Sequence, residues 1–250
     1  MSTVERKAWT RDELILAINL YCKTPFGRIH MRNPDIINLA HLLGRSPGSV
    51  SYKLANFASI DPSLSRKGAS NVSKLDKEVW NEFFENWDEM SYKSEIASSK
   101  VQEKPLELEL DETIQIPEGK TRETVVKTRV NQSFFRKTIL SSYGACCITG
   151  LEIPELLVAS HIVPWSKDEK NRTNPRNGLC LNYLHDKAFD VGLIAIDENF
   201  KVIASQRIKD AHIKKSRMLL DYIGAEINMP QRFLPDQEFL TYHRENIFKS

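Results

Sequence analysis

Three polar side chains that could take part in chemistry lie at the joints of a short segment, Ala159 to Asp190. His161 ends an apolar run, Asn177 closes a charged loop before a second apolar run, and His185 lies at the start of a helical pattern. An imidazole can accept a proton near neutral pH and can also bind a metal ion. The order strand, loop, strand, helix, with these residues at the joints, predicts a small metal-dependent active site.

Three stretches around these residues resemble the HNH endonucleases of the subgroup found in restriction-type and other bacterial defence proteins. The stretches are ASHIVPWS, RNGLCLNYLHDKAFDVGLI and, upstream, RVNQSFFRKTILSSYGACCITG. The resemblance covers residues 121–205 and implies the ββα-metal fold of that family. It also implies phosphodiester hydrolysis, with double-stranded DNA as the substrate.

The resemblance assigns a role to each of the three residues. His161 is the expected general base, oriented by a hydrogen bond from its other ring nitrogen, usually to a carbonyl. His185 is the expected ligand of one divalent metal ion, Mg²⁺ or Mn²⁺, which neutralises charge at the scissile phosphate. Asn177 is expected to tie the loop to the first strand and so hold His161 in place.

One residue departs from the family pattern. Many HNH enzymes carry an aspartate immediately before the general base, where it serves as a second metal ligand, and here that residue is Ser160. Three alternatives stay open: Ser160 contributes weakly, Asp186 or Asp190 supplies a carboxylate, or water and substrate oxygens complete the coordination. Asp190 is the favoured carboxylate because it closes the resembling motif, although it could equally bond to an arginine or to backbone.

The cysteines do not predict a structural zinc site. Such sites in HNH proteins use paired Cys-x-x-Cys motifs, but Gly150 and Tyr183 occupy the third positions after Cys147 and Cys180. These thiols are expected to pack as small apolar groups. The chain has 4 cysteines in all, which fits a reducing cytoplasm better than a disulfide framework.

Basic residues between the two predicted strands could contact the DNA backbone beside the scissile phosphate. The loop Ser166 to Arg176 supplies Lys167, Arg172 and Arg176 for this purpose. The net charge of the chain is only +2, because a strongly acidic stretch, 76–118, separates two basic ones. Charge distribution therefore says more than the total about nucleic-acid binding.

The N-terminal part has the pattern of a helix-turn-helix domain. A capping box at Thr10 precedes one helix, Pro34 begins a second, and Ser46-Pro47 begins a third after a short turn. Four polar residues of this third helix are expected to reach phosphates or base edges: Ser49, Tyr52, Lys53 and Asn56. The alternative is a plain helical bundle with a solvated basic face.

The elements together predict an α+β protein with two domains. An all-α helix-turn-helix domain is expected over residues 1–92, ending in a fourth helix over 74–89. An acidic linker, 93–120, with one or two short strands, leads to a nuclease domain over 121–250. That domain is expected to begin with a helix over 125–140 and to contain a further hairpin after residue 192.

The whole chain is typical of an ordinary globular protein, with 41% hydrophobic and 27% charged residues. No signal peptide or membrane span is expected, so the location expected is the cytoplasm.

The favoured function is a metal-dependent DNA endonuclease in restriction or defence. The alternatives are a DNA-binding regulator whose HNH fold has lost activity, and a nuclease that acts on RNA or without sequence preference. A homodimer would let two single-strand sites cut both strands.

Overall fold

The computed structural model describes residues 7–64, 69, 71–106, 122–210 and 217–249. The chain divides into two compact units, Met1–Glu107 and Leu108–Ser250. The first is helical, and the second contains helices with two small antiparallel sheets. The predicted α+β class is thereby confirmed. Within the described residues, every helix is too short or too polar to span a bilayer.

Unit 1 contains five α-helices and one short 3-10 helix (Phe26–Arg28) in the described residues. The α-helices are α1 (Arg11–Lys23), α2 (Pro34–Leu42), α3 (Pro47–Ile60), α4 (Lys74–Glu85) and α5 (Trp87–Gln102). The predicted capping box is present, because the side chain of Thr10 accepts from the backbone of Glu13 while the Glu13 carboxylate accepts from the backbone of Thr10. The side chains of Asn33 and Ser46 cap α2 and α3 by accepting from the backbone amides of Asp35 and Ser49, and each cap is followed by proline at the first turn.

The core of unit 1 includes a buried ion pair. Lys53 Nζ lies 2.8 and 2.9 Å from the two carboxylate oxygens of Asp76, and the Asp76 side chain has no exposed surface. The ammonium of Lys53 also lies 5.3 Å from the centroid of the Trp9 ring. Lys53 therefore links α3 to the N-terminal turn of α4 inside the unit.

The end of unit 1 differs from the sequence prediction. The fourth helix breaks at Asn86, and α5 continues to Gln102 rather than giving way to a linker at residue 93. Ser94 of α5 is fully buried and accepts a hydrogen bond of 2.7 Å from Asn19 of α1. Because α5 buries this polar contact, residues 93–102 belong to the helical unit. The predicted strands between residues 106 and 116 lie outside the described residues, apart from Leu106.

Unit 2 contains a β-hairpin against which two helices pack. In its described residues α6 (Arg122–Tyr143) precedes β1 (Leu157–His161), β2 (Gly178–Asn182) and α7 (Tyr183–Asp190). The two strands are antiparallel, with Leu157 opposite Asn182 and His161 opposite Gly178. The strand, strand and helix that follow α6 have the predicted ββα order.

The remainder of unit 2 adds a second hairpin and short helices. The elements are β3 (Ile194–Ile196), β4 (Val202–Ala204), α8 (Gln206–Asp210), α9 (Arg217–Leu220) and α10 (Gln237–Asn246). Both hairpins contribute to one apolar core, together with α6 and α7. The predicted second hairpin is present, and the first hairpin is held between α6 and the rest of this core.

Candidate active site

His161 stands at the end of β1 with its ring fixed from several sides. Its Nε2 lies 2.8 Å from the carbonyl oxygen of Arg172. The ring is stacked on Phe135 of α6, with centroids 4.0 Å apart and planes 13° apart. Trp165 meets it edge-on at 5.5 Å. A carbonyl therefore orients one ring nitrogen, as the sequence anticipated without identifying the carbonyl.

Gly178 makes the contact between α6 and the hairpin possible. A Cβ at this position would lie 2.5 Å from Ile139 Cδ1 and 2.7 Å from Phe135 Cζ. Directly opposed residues in an antiparallel pair share a face of the sheet, so Gly178 and His161 both face α6. The missing side chain lets Phe135 approach closely enough to lie against the imidazole.

Replacement of Gly178 by alanine is expected to lower stability by about 1–3 kcal/mol, because the added methyl overpacks a buried contact. The combination Gly178→Ala with Ile139→Val should recover part of this loss, because it removes the nearest clashing atom. Thermal denaturation measures both. The control is Gly48→Ala, where a Cβ meets nothing closer than 3.9 Å. Equal stability of Gly178→Ala and wild type would show that the close contact does not exist in solution.

Asn177 joins the loop to the end of β1. Its side chain is fully buried, accepts a hydrogen bond of 2.8 Å from the Val163 amide and donates one of 3.1 Å to the Val163 carbonyl. The side chain also donates to the Asn171 carbonyl at 3.3 Å. The backbone carbonyl of Asn177 accepts a hydrogen bond from the Ile162 amide. Asn177 thus fixes the chain that leaves His161.

His185 lies in the first turn of α7 with a buried imidazole. Its Nδ1 is 3.0 Å from Asn182 Oδ1, which also accepts from the His185 amide as the helix cap. Its Nε2 is buried and has no hydrogen-bond partner in the described part of the chain. Burial lowers the pKa of His185, which favours the neutral ring that a metal ion requires.

Ser160 also has a buried polar atom without a hydrogen-bond partner among the described residues. It is 2% exposed, and its Oγ makes no hydrogen bond to any described residue. Side chains alternate along a strand, so Ser160 and His161 point to opposite faces of the hairpin. A buried hydroxyl without a hydrogen-bond partner lowers the stability of the fold. A bound ligand could supply the missing partner.

The two carboxylates considered as ligands lie elsewhere on α7. Asp190 is exposed at the end of the helix, and the five-residue interval from His185 turns it by about 140° around the axis. Asp186 is buried at 8% exposure. No cluster of three or more His, Cys, Asp or Glu suited to a metal occurs among the described residues. A metal ion at His185 would therefore rely largely on water and substrate oxygens.

The basic residues of the loop have different surroundings. The Arg172 guanidinium donates to the Trp165 carbonyl at 2.8 Å and pairs with Glu169 at 2.9 Å. Lys167 is exposed, and Arg176 is half exposed and pairs with Asp236 at 2.8 Å. Arg172 thus braces the loop, whereas Lys167 and Arg176 lie on the surface.

The four residues predicted to contact DNA from α3 fall into two groups. Tyr52 is 49% exposed and Ser49 is partly exposed. Lys53 and Asn56 are only 7% and 3% exposed, and the structure places both inside unit 1. Lys53 is turned inward by Asp76, and Asn56 donates to the Asn71 carbonyl. Their placement does not support the predicted DNA contacts, because neither side chain is accessible.

The cysteines are all buried and none forms a disulfide. Burial raises the pKa of the Cys147 thiol well above its usual value, and burial together with the neighbouring Cys146 raises the pKa of Cys180 to about 12. These groups stay protonated at neutral pH and pack in the core of unit 2.

The sequence did not single out Phe135 as part of the site. Phe135 falls within the predicted helix over 125–140, and a phenylalanine at helical spacing most often marks a core position. Its position 26 residues before His161 gave no local signal of contact. The carbonyl of Arg172 carries no sequence signal at all, since every residue has one.

Comparison with known proteins identifies the segment that carries the site. The family model described as HNH endonuclease matches residues 146–197, which include β1, β2, α7 and all three of His161, Asn177 and His185. This confirms the predicted resemblance for that segment and supports a nuclease. The match does not extend to α6 or to unit 1.

A solved structure of a "Modification dependent TagI restriction endonuclease" is also similar. The TM-score is 0.38 with 19% identity, over 51% of this chain and 44% of that one. The chain thus spans less than half the length of that protein. No curated protein matches the sequence.

Proposed function

We propose that the protein is a metal-dependent endonuclease that hydrolyses phosphodiester bonds of double-stranded DNA, with His161 as general base. The observation that carries this proposal is the hydrogen bond of 2.8 Å between His161 Nε2 and the Arg172 carbonyl, within a segment that matches HNH endonucleases. The carbonyl oxygen accepts a hydrogen bond from Nε2–H, so in the neutral ring Nδ1 carries the lone pair. The base is therefore set in one tautomer.

The proposed reaction is direct hydrolysis. His161 Nδ1 takes a proton from water as the water oxygen forms a bond to phosphorus, and the bond from phosphorus to the 3′ oxygen breaks. A divalent metal ion, when bound, would supply positive charge to the scissile phosphate and the leaving oxygen. Asn177 keeps the chain at Val163 fixed, and Arg172 braces the loop whose carbonyl orients the base.

The metal ion is proposed to bind at His185 Nε2, with Ser160 Oγ as a weak second contact. Both atoms are buried and lack hydrogen-bond partners among the described residues. Imidazole nitrogen suits Zn²⁺, Fe²⁺ and Ni²⁺, whereas Mg²⁺ and Mn²⁺ prefer carboxylate, carbonyl and water oxygens. Water and substrate oxygens would therefore complete the coordination of either metal expected from the sequence. Asp190 is set aside because α7 turns it away from His185.

The variant Ser160→Asp tests this donor set. An added carboxylate should tighten Mg²⁺ binding by about tenfold or more, since Mg²⁺ sites are usually built on one or two carboxylates. Isothermal titration of Mg²⁺ and Mn²⁺ into wild type, Ser160→Asp and His185→Ala measures it without DNA. His185→Ala should lose Mn²⁺ binding. Unchanged Mn²⁺ affinity in His185→Ala would exclude this residue as the ligand.

The DNA is proposed to contact surface residues of both units. Lys167 and Arg176 are exposed basic residues of the loop and are the proposed phosphate contacts, and Ser49 and Tyr52 are the exposed candidates on α3. Restriction or a related defence process is the setting that the family resemblance favours. A single site cuts one strand, so cleavage of both strands would require a homodimer or two encounters.

The test is cleavage by the full chain. Methylated and unmethylated plasmid DNA, and separately RNA, are incubated with Mg²⁺ or Mn²⁺, with EDTA as control. We expect metal-dependent nicking or cutting of DNA that EDTA abolishes. Cleavage of RNA without cleavage of DNA would show that the substrate is RNA and not double-stranded DNA.

A DNA-binding regulator without activity is the second candidate. It is favoured by one observation, the hydroxyl of Ser160 where many HNH enzymes have a carboxylate. Salt-dependent DNA binding with no cleavage under any of these conditions would support it and contradict the proposed endonuclease.

A further inference from the structure

The imidazole of His161 rests flat on a residue from outside the segment that matches HNH endonucleases. That segment begins at Cys146, whereas the ring beneath His161 is Phe135 of α6. The two planes are 13° apart with centroids at 4.0 Å. Trp165 is another aromatic neighbour, and it meets the imidazole at 87°.

The hydrogen bond to Arg172 cannot by itself fix the imidazole. A hydrogen bond through Nε2 restrains one atom and does not by itself prevent rotation of the ring plane about the direction of that bond. The torsion that sets a histidine ring plane is broad, with no sharp rotamer wells. A flat neighbour in parallel contact removes this rotation, because tilting the ring would drive its edge into the neighbour.

Phe135 is itself held firmly enough to serve as that neighbour. It is 1% exposed, and the space near its Cζ is open only because residue 178 has no side chain. Ile139, one turn later on α6, is equally buried and lies against the same glycine. Ile139 thus shares the packing environment of Phe135 but is not a ring and cannot stack.

We propose that Phe135 is a positioning residue that sets the plane of the His161 imidazole, and hence the direction of its Nδ1 lone pair. The proposal rests on the proposed function, in which Nδ1 accepts the proton of the attacking water. It extends the active site to α6. A near-attack geometry is sensitive to displacements of about 1 Å, which can cost about a hundredfold in rate.

The experiment compares Phe135→Leu with the matched control Ile139→Val. Each removes a similar volume from the same buried face of α6, but only the first removes the ring. The first readout is NMR of the His161 imidazole without substrate or metal, assigned by comparison with His161→Gln. The second is kcat and KM for plasmid cleavage, measured below the Tm of every variant.

In the wild type the His161 ring protons should be shifted to low frequency by the Phe135 ring current, with one neutral tautomer protonated at Nε2. In Phe135→Leu this shift should disappear and both tautomers should be seen. Its kcat should fall by about tenfold to a hundredfold with KM changed by less than about twofold. Ile139→Val should keep the imidazole spectrum and should keep kcat within about threefold of wild type.

Three results would overturn the proposal. They are an unchanged imidazole spectrum in Phe135→Leu, an unchanged kcat in that variant, and an equal loss of kcat in Ile139→Val. Absence of cleavage by the wild type would overturn the proposed function, and the positioning role with it. If the wild type does not cleave DNA but its His161 ring protons still show the expected ring-current shift, the stacked geometry is correct and the proposed nuclease activity is wrong.

Discussion

Replacement of His161 by alanine is expected to slow DNA cleavage by about 10²–10⁴-fold, which is the contribution typical of a positioned general base. The imidazole is the group held by the Arg172 carbonyl, and alanine offers no atom that could accept the proton of water. The loss should appear in kcat, with DNA affinity little changed, because His161 is proposed to act on water and not on the DNA backbone. Plasmid cleavage under saturating metal, with anisotropy for DNA binding, measures both.

The control for this prediction is His30→Ala, which removes an exposed histidine from unit 1. It should cleave at the wild-type rate. The variant His161→Gln should be as slow as His161→Ala, because an amide cannot act as a base near neutral pH. Equal cleavage by His161→Ala and wild type would refute the catalytic assignment. Parallel loss in all three variants would point to a folding defect.

Replacement of Lys53 by methionine is expected to destabilise unit 1 by about 3–5 kcal/mol, the usual result of removing one member of a buried ion pair. Asp76 has no exposed surface, so it would be left as a buried charge facing an apolar side chain. The hydrogen bond that the Asp76 carboxylate accepts from the Ser73 amide compensates only in part for the lost ammonium group. Urea denaturation measures the loss, and hydrogen exchange of peptides from α3 and α4 locates it.

The double replacement Lys53→Met with Asp76→Leu should recover much of this stability, because two matched apolar residues can replace a buried pair at little cost. Lys74→Met is the control. Lys74 is 92% exposed and pairs with Glu78 at 3.6 Å, so its loss should be small. If Lys53 were a surface contact to DNA, Lys53→Met would weaken DNA binding at unchanged stability. That outcome would contradict the buried pair.

The sequence determined the local structure at each joint of the site. Capping residues fixed the starts of α1 and α3, and short continuous apolar runs fixed β1 and β2, because these signals act between residues close in the chain. The order of His161, Asn177 and His185 and their match to HNH endonucleases likewise needed no tertiary information. The boundary after residue 92 failed because α5 is polar on much of its surface and becomes helical through contacts such as Asn19 with Ser94.

Only the tertiary structure decided which side chains are available for function. Lys53 has the residue type of a DNA contact, yet Asp76, distant in sequence, draws it into the core. Asp190 has the chemistry of a metal ligand, but it lies exposed at the end of α7, whereas the His185 imidazole is buried. Phe135 has no chemistry of its own and became part of the site through a contact across the hairpin. Residue types and spacings specify which groups exist, whereas packing between distant elements specifies which of them meet.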